Sequence, residues 1–337
     1  MQHRLGLIGA GKNARNHALY YADRPDVDLV AIADPDPAAR ARLADQVNAR
    51  GVADYTQLLD DVDAVVISSP NFLHAEHAIA CARAGKHVYI EKPIGLNLDQ
   101  TEAVTHAVRQ AGIASAVGFS VRLTREVQTL LRLTTEGQIG QLASIWSRRL
   151  VYLPDDMFRG WRADPDRSGG LLMEVNIHEL DWMRLIGGPV ESVYARTAGG
   201  TTERPRANDH VWATLNFKNS AVGTHEGGWR CANTNFYKGV CGTVGGAATN
   251  EWGQGLVYTP LGGAAEPVEL DEPMDLRGRW LNAIAGGPPV PCDADWGMEI
   301  MRIAEAVLRS AETGQVIRLD EVKGTSTPNP ALASSGV

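Results

Sequence analysis

At 337 residues the chain exceeds one ordinary domain, and two are expected. Its 44% hydrophobic and 21% charged residues are those of a folded globular protein, and a net charge of −8 argues against a nucleic-acid partner. No apolar run nears the roughly 18 residues that span a bilayer, and glycine breaks the first apolar stretch at once, unlike an export signal; a cytoplasmic protein with no membrane partner is the expectation.

Arg4 to Ile8 reads as a short strand. Gly9-Ala10-Gly11-Lys12-Asn13-Ala14 follows and fits G-x-G-x-x-A, and a helix comes next. A second strand, Val27–Ala33, ends at Asp34, twenty residues beyond Ala14. Each part has a task in holding a nicotinamide dinucleotide. Gly9 permits the tight turn. Gly11 lets backbone approach a pyrophosphate at the helix N-terminus, where Lys12 and Asn13 begin the helix. Ala14 lets helix and strand pack closely. Asp34 accepts from a ribose 2′-hydroxyl and repels a 2′-phosphate, so NAD is expected over NADP.

Strands at Ala64–Ser68, His87–Ile90 and Ala114–Gly118 alternate with helices at Pro37–Ala49, Leu73–Ala84 and Leu98–Ala111, the pattern of a doubly wound parallel sheet in an α/β fold. Ligands lie at the carboxyl ends of such strands. That places Ser69-Pro70-Asn71 and Glu91-Lys92-Pro93 on the cofactor side, each directly after a strand. Pro93 restricts Lys92 to extended backbone, and a cis Lys92–Pro93 bond is expected. His74 is read as capping or packing at a helix start, and His17 as structural.

The rhythm changes near Phe119. A helix at Arg125–Thr135 precedes strand-like runs at Ala143–Tyr152, Val190–Arg196, His210–Phe217, Ala221–Trp229, Thr234–Cys241 and Gly255–Thr259, with Gly245-Gly246 read as turn residues. Short connections between sequential strands imply an antiparallel or mixed sheet. Helices are expected near Gly170–Ile186 and Trp296–Thr313, the second on its apolar period. The division is a nucleotide-binding domain over 1–119, a substrate domain over 120–320 and a loose polar tail over 321–337. Cys81, Cys231, Cys241 and Cys292 are widely spaced, without C-x-x-C, and are read as reduced thiols; no metal site is expected.

Several of these motifs resemble the Gfo/Idh/MocA oxidoreductases, the glucose–fructose oxidoreductase and inositol dehydrogenase group. They are Ser69-Pro70-Asn71 with His74, Ala84-Gly85-Lys86-His87-Val88, Glu91-Lys92-Pro93, Gly118-Phe119 with Arg122, Gly137-Gln138-Ile139-Gly140, Trp161-Arg162, Gly169-Gly170, and His178 with Asp181. The likeness runs from about residue 5 to about residue 320. It implies a Rossmann domain followed by an α+β domain with a large open, mostly antiparallel sheet that serves as a dimer or tetramer surface. It implies NAD(P)-dependent oxidation or reduction at a carbon of a sugar or cyclitol, with Lys92 and the His178 region facing each other across the substrate. Arg122, Trp161 and Arg162 match substrate-pocket positions. Many members carry Asp four residues before the active-site His and a small residue two before it; here these are Glu174 and Asn176, which puts the substrate of the Asp-type members in doubt.

Oxidising a secondary alcohol needs a base, a group that polarises the oxygen, and a cofactor to carry the hydride. His178 is one candidate base, since an unperturbed imidazole titrates near pH 6.5. Lys92 is the other; beside a positively charged nicotinamide its pKa would fall, and as an ammonium it would polarise a forming carbonyl. Glu174 and His178 stand four apart and share a face if the segment is helical, so Glu174, with Asn176, is expected to grip substrate or tune His178. Glu91 is expected to support Lys92 or the cofactor, and Asn71 to contact the cofactor near the nicotinamide ribose. The arginine-rich stretch 122–167 reads either as a solvated face or as recognition of an anionic substrate. Tyr237, Trp229 and Trp252 read as pocket, core or dimer contacts. Two other readings use the same residues: an enzyme that retains NAD and cleaves a glycoside through transient oxidation, and a non-catalytic NAD-binding sensor.

Overall fold

The computed structural model describes residues 2–154, 158–199 and 208–324. They form two compact units, one of residues 2–118 with 275–298 and 324, the other of 119–154, 158–199 and 208–274 with 299–323.

The first unit is built on six strands: β1 (His3–Ile8), β2 (Val27–Ala33), β3 (Arg50–Val52), β4 (Ala64–Ile67), β5 (His87–Ile90) and β6 (Ser115–Val117). All pair in parallel in the order β3-β2-β1-β4-β5-β6. Between them run α1 (Lys12–Ala22), α2 (Pro37–Val47), α3 (His74–Arg83) and α4 (Leu98–Ala111). Both faces of a parallel sheet are covered by crossover helices, which is why β4 is apolar at every position and wholly buried. The strand order reverses between β1 and β4, and this switch point opens the crevice at their carboxyl ends.

In the second unit α5 (Arg125–Thr135) leads to a nine-stranded sheet. Its members are β7 (Leu142–Tyr152), β8 (Val190–Gly199), β9 (Asn208–Phe217), β10 (Val222–Gly228), β11 (Arg230–Gly242), β12 (Gly245–Ala248), β13 (Val257–Pro260), β14 (Glu266–Pro267) and β15 (Ile317–Arg318). The order is β14-β13-β12-β11-β7-β10-β9-β8-β15; β7 and β10 are parallel and every other pairing is antiparallel. The short α6 (Pro165–Ser168) precedes a π-helical turn, Leu172–Asn176, that runs straight into α7 (Ile177–Gly187). Helix α7 packs on β7 and β10, and its Leu180, Trp182 and Met183 are fully buried.

Three expectations are corrected. Gly245-Gly246 is strand β12 rather than a turn. A Cβ on Gly245 would meet the Tyr258 hydroxyl at 2.5 Å and one on Gly246 the Val240 carbonyl oxygen at 2.9 Å, so these glycines serve close approach between neighbours. Residues 275–298, assigned from sequence to the second domain, belong to the first unit. There α8 (Leu276–Ile284) buries Trp280 against Tyr21 and Tyr89, with ring centroids 6.4 and 5.8 Å away. The final helix, α9 (Ala294–Thr313), buries Ile300, Ile303, Ala304 and Val307 as their period requires. Past it, ordered chain continues through a turn at Leu319–Glu321 to a buried Val322; the rest of the expected tail, 325–337, lies outside the described residues. No helix among the described residues is long and apolar enough to cross a membrane.

Candidate active site

The glycine loop joins β1 to α1. Gly9 has φ +106°, and a Cβ there would stand 2.5 Å from the Ser68 carbonyl oxygen, so only glycine lets the loop lie against the end of β4. At Gly11 an added Cβ meets nothing within 4 Å, so the space above the loop is open. The contrast with neighbouring helices is informative. α2 is capped by Asp36 and α4 by Asn97, and the uncapped α3 carries Glu76 in its first turn, whereas α1, preceded by Gly11, has neither a side-chain cap nor an acid in its first turn. The first amides of α1, at the exposed Lys12 and Asn13, therefore point at an uncapped, electropositive helix end. Asp34 ends β2 beside them. Its carboxylate accepts from the Ala10 amide at 2.7 Å and the Asp36 amide at 2.9 Å, which fixes its direction. An open loop, a free helix end and a braced acid fit a dinucleotide.

The turns after β4 and β5 meet at His74. Its Nδ1 lies 2.7 Å from the Pro93 carbonyl oxygen and its Nε2 2.8 Å from that of Ser69, so one buried imidazole ties Ser69-Pro70-Asn71 to Glu91-Lys92-Pro93. Burial pushes its pKa down. The Ser69 hydroxyl is 2.9 Å from His77 Nδ1, and Asn71 is buried in a 3-10 turn, Asn71–Leu73. The Lys92–Pro93 bond is cis. Lys92 itself is half-buried.

In the second unit the π-turn carries Glu174 into the same helical run as His178. Such turns are frequent at functional sites. Glu174 Oε1 is 3.3 Å from Arg162 Nε, and the Arg162 guanidinium stands 4.5 Å over the Trp161 ring, so three of the residues expected to meet substrate adjoin one another. His178 meets Phe119 edge-on, with ring centroids 6.5 Å apart. The residues flanking it anchor the helix to the sheet. Glu179 accepts from the Ser147 hydroxyl at 2.7 Å, from Arg149 at 3.0 Å and from the Trp182 indole. Burial would raise its carboxyl, but Arg149, Lys238 and His225 outweigh that and hold it down at about 2.

Residues 3–119 match the sequence profile described as "Oxidoreductase family, NAD-binding Rossmann fold", and residues 127–248 match the "GFO/IDH/MocA C-terminal domain". The chain belongs to the Gfo/Idh/MocA oxidoreductase family. It is 30% identical to D-glucoside 3-dehydrogenase of Escherichia coli K12, with 94% of this chain and 97% of that protein aligned. It is 28% identical to myo-inositol 2-dehydrogenase of Thermotoga maritima, with 95% and 100% aligned. Among solved structures, levoglucosan dehydrogenase in complex with NADH superposes with a TM-score of 0.87 at 26% identity, covering 95% of this chain and 99% of that one. As a member of this family, the protein is an NAD(P)-dependent oxidoreductase acting on CH–OH groups.

For this Gfo/Idh/MocA chain two site expectations are corrected. Arg122 does not open onto a substrate pocket: it is 1% exposed and makes a bidentate pair with Asp181, at 2.8 and 2.6 Å, beneath α7. Asn176 is fully buried and faces the sheet, its Nδ2 2.8 Å from His225 Nε2, in the space left by Gly227. Trp229 is core, donating to Asp209 at 2.8 Å, and Trp252 is 56% exposed. His17, read as structural, is buried on α1, with its Nε2 2.8 Å from Glu91 Oε1. Replacing Gly9 with alanine should abolish NADH binding in a fluorescence titration, and retention of native affinity would contradict the fit argued for the loop.

Proposed function

We propose that this oxidoreductase is an NAD-dependent dehydrogenase of an uncharged sugar or cyclic polyol. Lys92 and His178 handle the proton of one secondary hydroxyl, Glu174 and Arg162 with Trp161 meet the substrate, and Asp34 selects NAD. The glycine loop, Asp34, Ser69-Pro70-Asn71 and Glu91-Lys92 would hold the dinucleotide, which would supply hydride transfer at the reacting carbon. His178 as a neutral imidazole takes the hydroxyl proton, and the Lys92 ammonium donates to the same oxygen as it becomes a carbonyl.

The observation that carries the reading is the open, uncapped glycine loop with its braced acid, in the unit that also carries Glu91-Lys92-Pro93. The arginines support the neutral substrate class. Arg148 pairs with Glu226 at 2.6 Å, Arg149 with Glu179 at 3.0 Å, Arg162 with Glu174 at 3.3 Å, and Arg122 with Asp181, so each of these four cations already has a carboxylate.

A screen of D-glucose, a methyl glucoside, levoglucosan, myo-inositol and UDP-glucuronate, each with NAD and NADP, tests it through absorbance of the reduced nicotinamide. Accumulation with an uncharged sugar or cyclitol is expected. Turnover confined to the uronate overturns the substrate class, and glycosidic cleavage without accumulation would point to the NAD-retaining reaction. Asp34→Asn keeps an acceptor for the Ala10 amide but removes the charge. It should narrow the preference for NAD over NADP about tenfold or more, the scale of one half-buried charge repulsion; an unchanged ratio would remove Asp34 from that role.

The same proposal includes a cytoplasmic protein that pairs with a second copy through the outer face of the nine-stranded sheet, where Tyr194 and Trp212 are 40% and 43% exposed. Light scattering should report a dimer or tetramer that Trp212→Glu weakens.

A further inference from the structure

We propose that His17 is a positioning residue of the reaction: by donating Nε2–H to Glu91 it holds that carboxylate ionised and in place, and through it sets where the adjacent Lys92 ammonium stands. The inference rests on the reading that Lys92 acts at the reacting carbon.

Four observations converge. His17 Nε2 is 2.8 Å from Glu91 Oε1, with side chains 7% and 16% exposed, so the pair is shielded. The imidazole itself is packed between rings, stacked on Tyr21 and edge-on to Tyr89 at 5.0 Å, which limits its rotation. The carboxylate also packs closely on Gly118, where an added Cβ would stand 3.1 Å from both Glu91 oxygens. Finally, His74 holds the Pro93 carbonyl oxygen at 2.7 Å. The Glu-Lys-Pro segment is thus gripped at its first and third residues by two buried histidines. Lys92 lies between these two anchored residues, in the bend that follows β5, so holding Glu91 and Pro93 limits where its backbone can stand.

The titratable groups around Glu91 are His17 from α1, Lys92 from its own segment, His74 from α3 and Tyr89 from β5. Burial alone would raise the Glu91 carboxyl, but the His17 hydrogen bond and charge, then Lys92 and His74, bring it below the usual carboxylate range. Its ionised form is present above that lowered pKa and lost as pH falls through it. Removing the donor raises the pKa, so the loss begins at a higher pH.

The test compares His17→Leu, His17→Gln and Glu91→Gln, using the sugar with the highest turnover in the screen above. His17→Leu should lower kcat about 10- to 100-fold, the range for losing an outer partner of a reacting group. The sugar KM should stay within a few-fold, so the loss falls on kcat. His17→Gln, whose amide reaches Glu91 as a donor, should recover most of kcat. A leucine variant with wild-type kcat, a loss that falls on KM instead, or a glutamine variant as impaired as leucine, overturns the proposal. Where the leucine variant does not fold, His17→Gln is combined with Glu91→Gln: no further loss beyond Glu91→Gln alone is expected, and a multiplied loss overturns it. Lys92→Ala separates the two readings. If it stays active, the reading of Lys92 fails; if it is inactive while His17→Leu is normal, only the role of His17 fails.

Discussion

Lys92→Ala is expected to lower turnover by about two to four orders of magnitude, the range for losing a positioned acid–base group, while NADH still binds within a few-fold of the native affinity. The lysine follows β5 and is half-buried beside Glu91, in a segment whose next residue, Pro93, is tied through its carbonyl to His74. Under the proposed function, that geometry places one ammonium at the reacting oxygen. Lys92→Arg should not rescue turnover, because a planar guanidinium presents its donors in a different fork and does not titrate. Steady-state kinetics beside a fluorescence titration separate the two effects. Turnover within threefold of native in the alanine variant would take Lys92 out of the chemistry.

Asp181→Ala should destabilise the protein by roughly 3–5 kcal/mol, the cost of leaving one member of a buried ion pair without its partner. Arg122 and Asp181 are 1% and 0% exposed, and their bidentate contact joins the turn before α5 to α7, the helix that begins at Ile177 and carries His178. Replacing both with methionine and leucine should cost much less, since no charge is then stranded. Urea unfolding of the two variants measures the difference. A loss under about 1 kcal/mol in Asp181→Ala would show that the pair is not the brace described.

The first half of the fold was legible because a parallel sheet writes itself in short apolar strands with glycine and acid at fixed places. Helix α4, Leu98–Ala111, and strand β5, His87–Ile90, fall on the residues that periodicity marks. Elements whose reason lies in a distant partner were not legible. The glycines of β12 read as a turn because the crowding by Tyr258, on the neighbouring strand, is invisible in one dimension. Helix α8 is short, and its burial depends on Tyr21 and Tyr89, far earlier in the chain.

The site divides in the same way. Gly9, Gly11, Asp34 and Lys92 were marked by motif and by position at strand ends. Arg122 and Asn176 were misread because a residue type states what a side chain can do, and only the fold states what it faces. Asn176 turned to His225 because the π-turn rotates it onto the sheet while Glu174 stays with Arg162.

Under the proposed function, Lys92 and His178 act together on one carbon. Kinetics of Lys92→Ala, His178→Ala and the double variant test this most directly. Groups that serve one step are not additive, so the double variant should be no slower than the slower single variant within a few-fold. Losses that multiply, as for independent sites, would contradict the account.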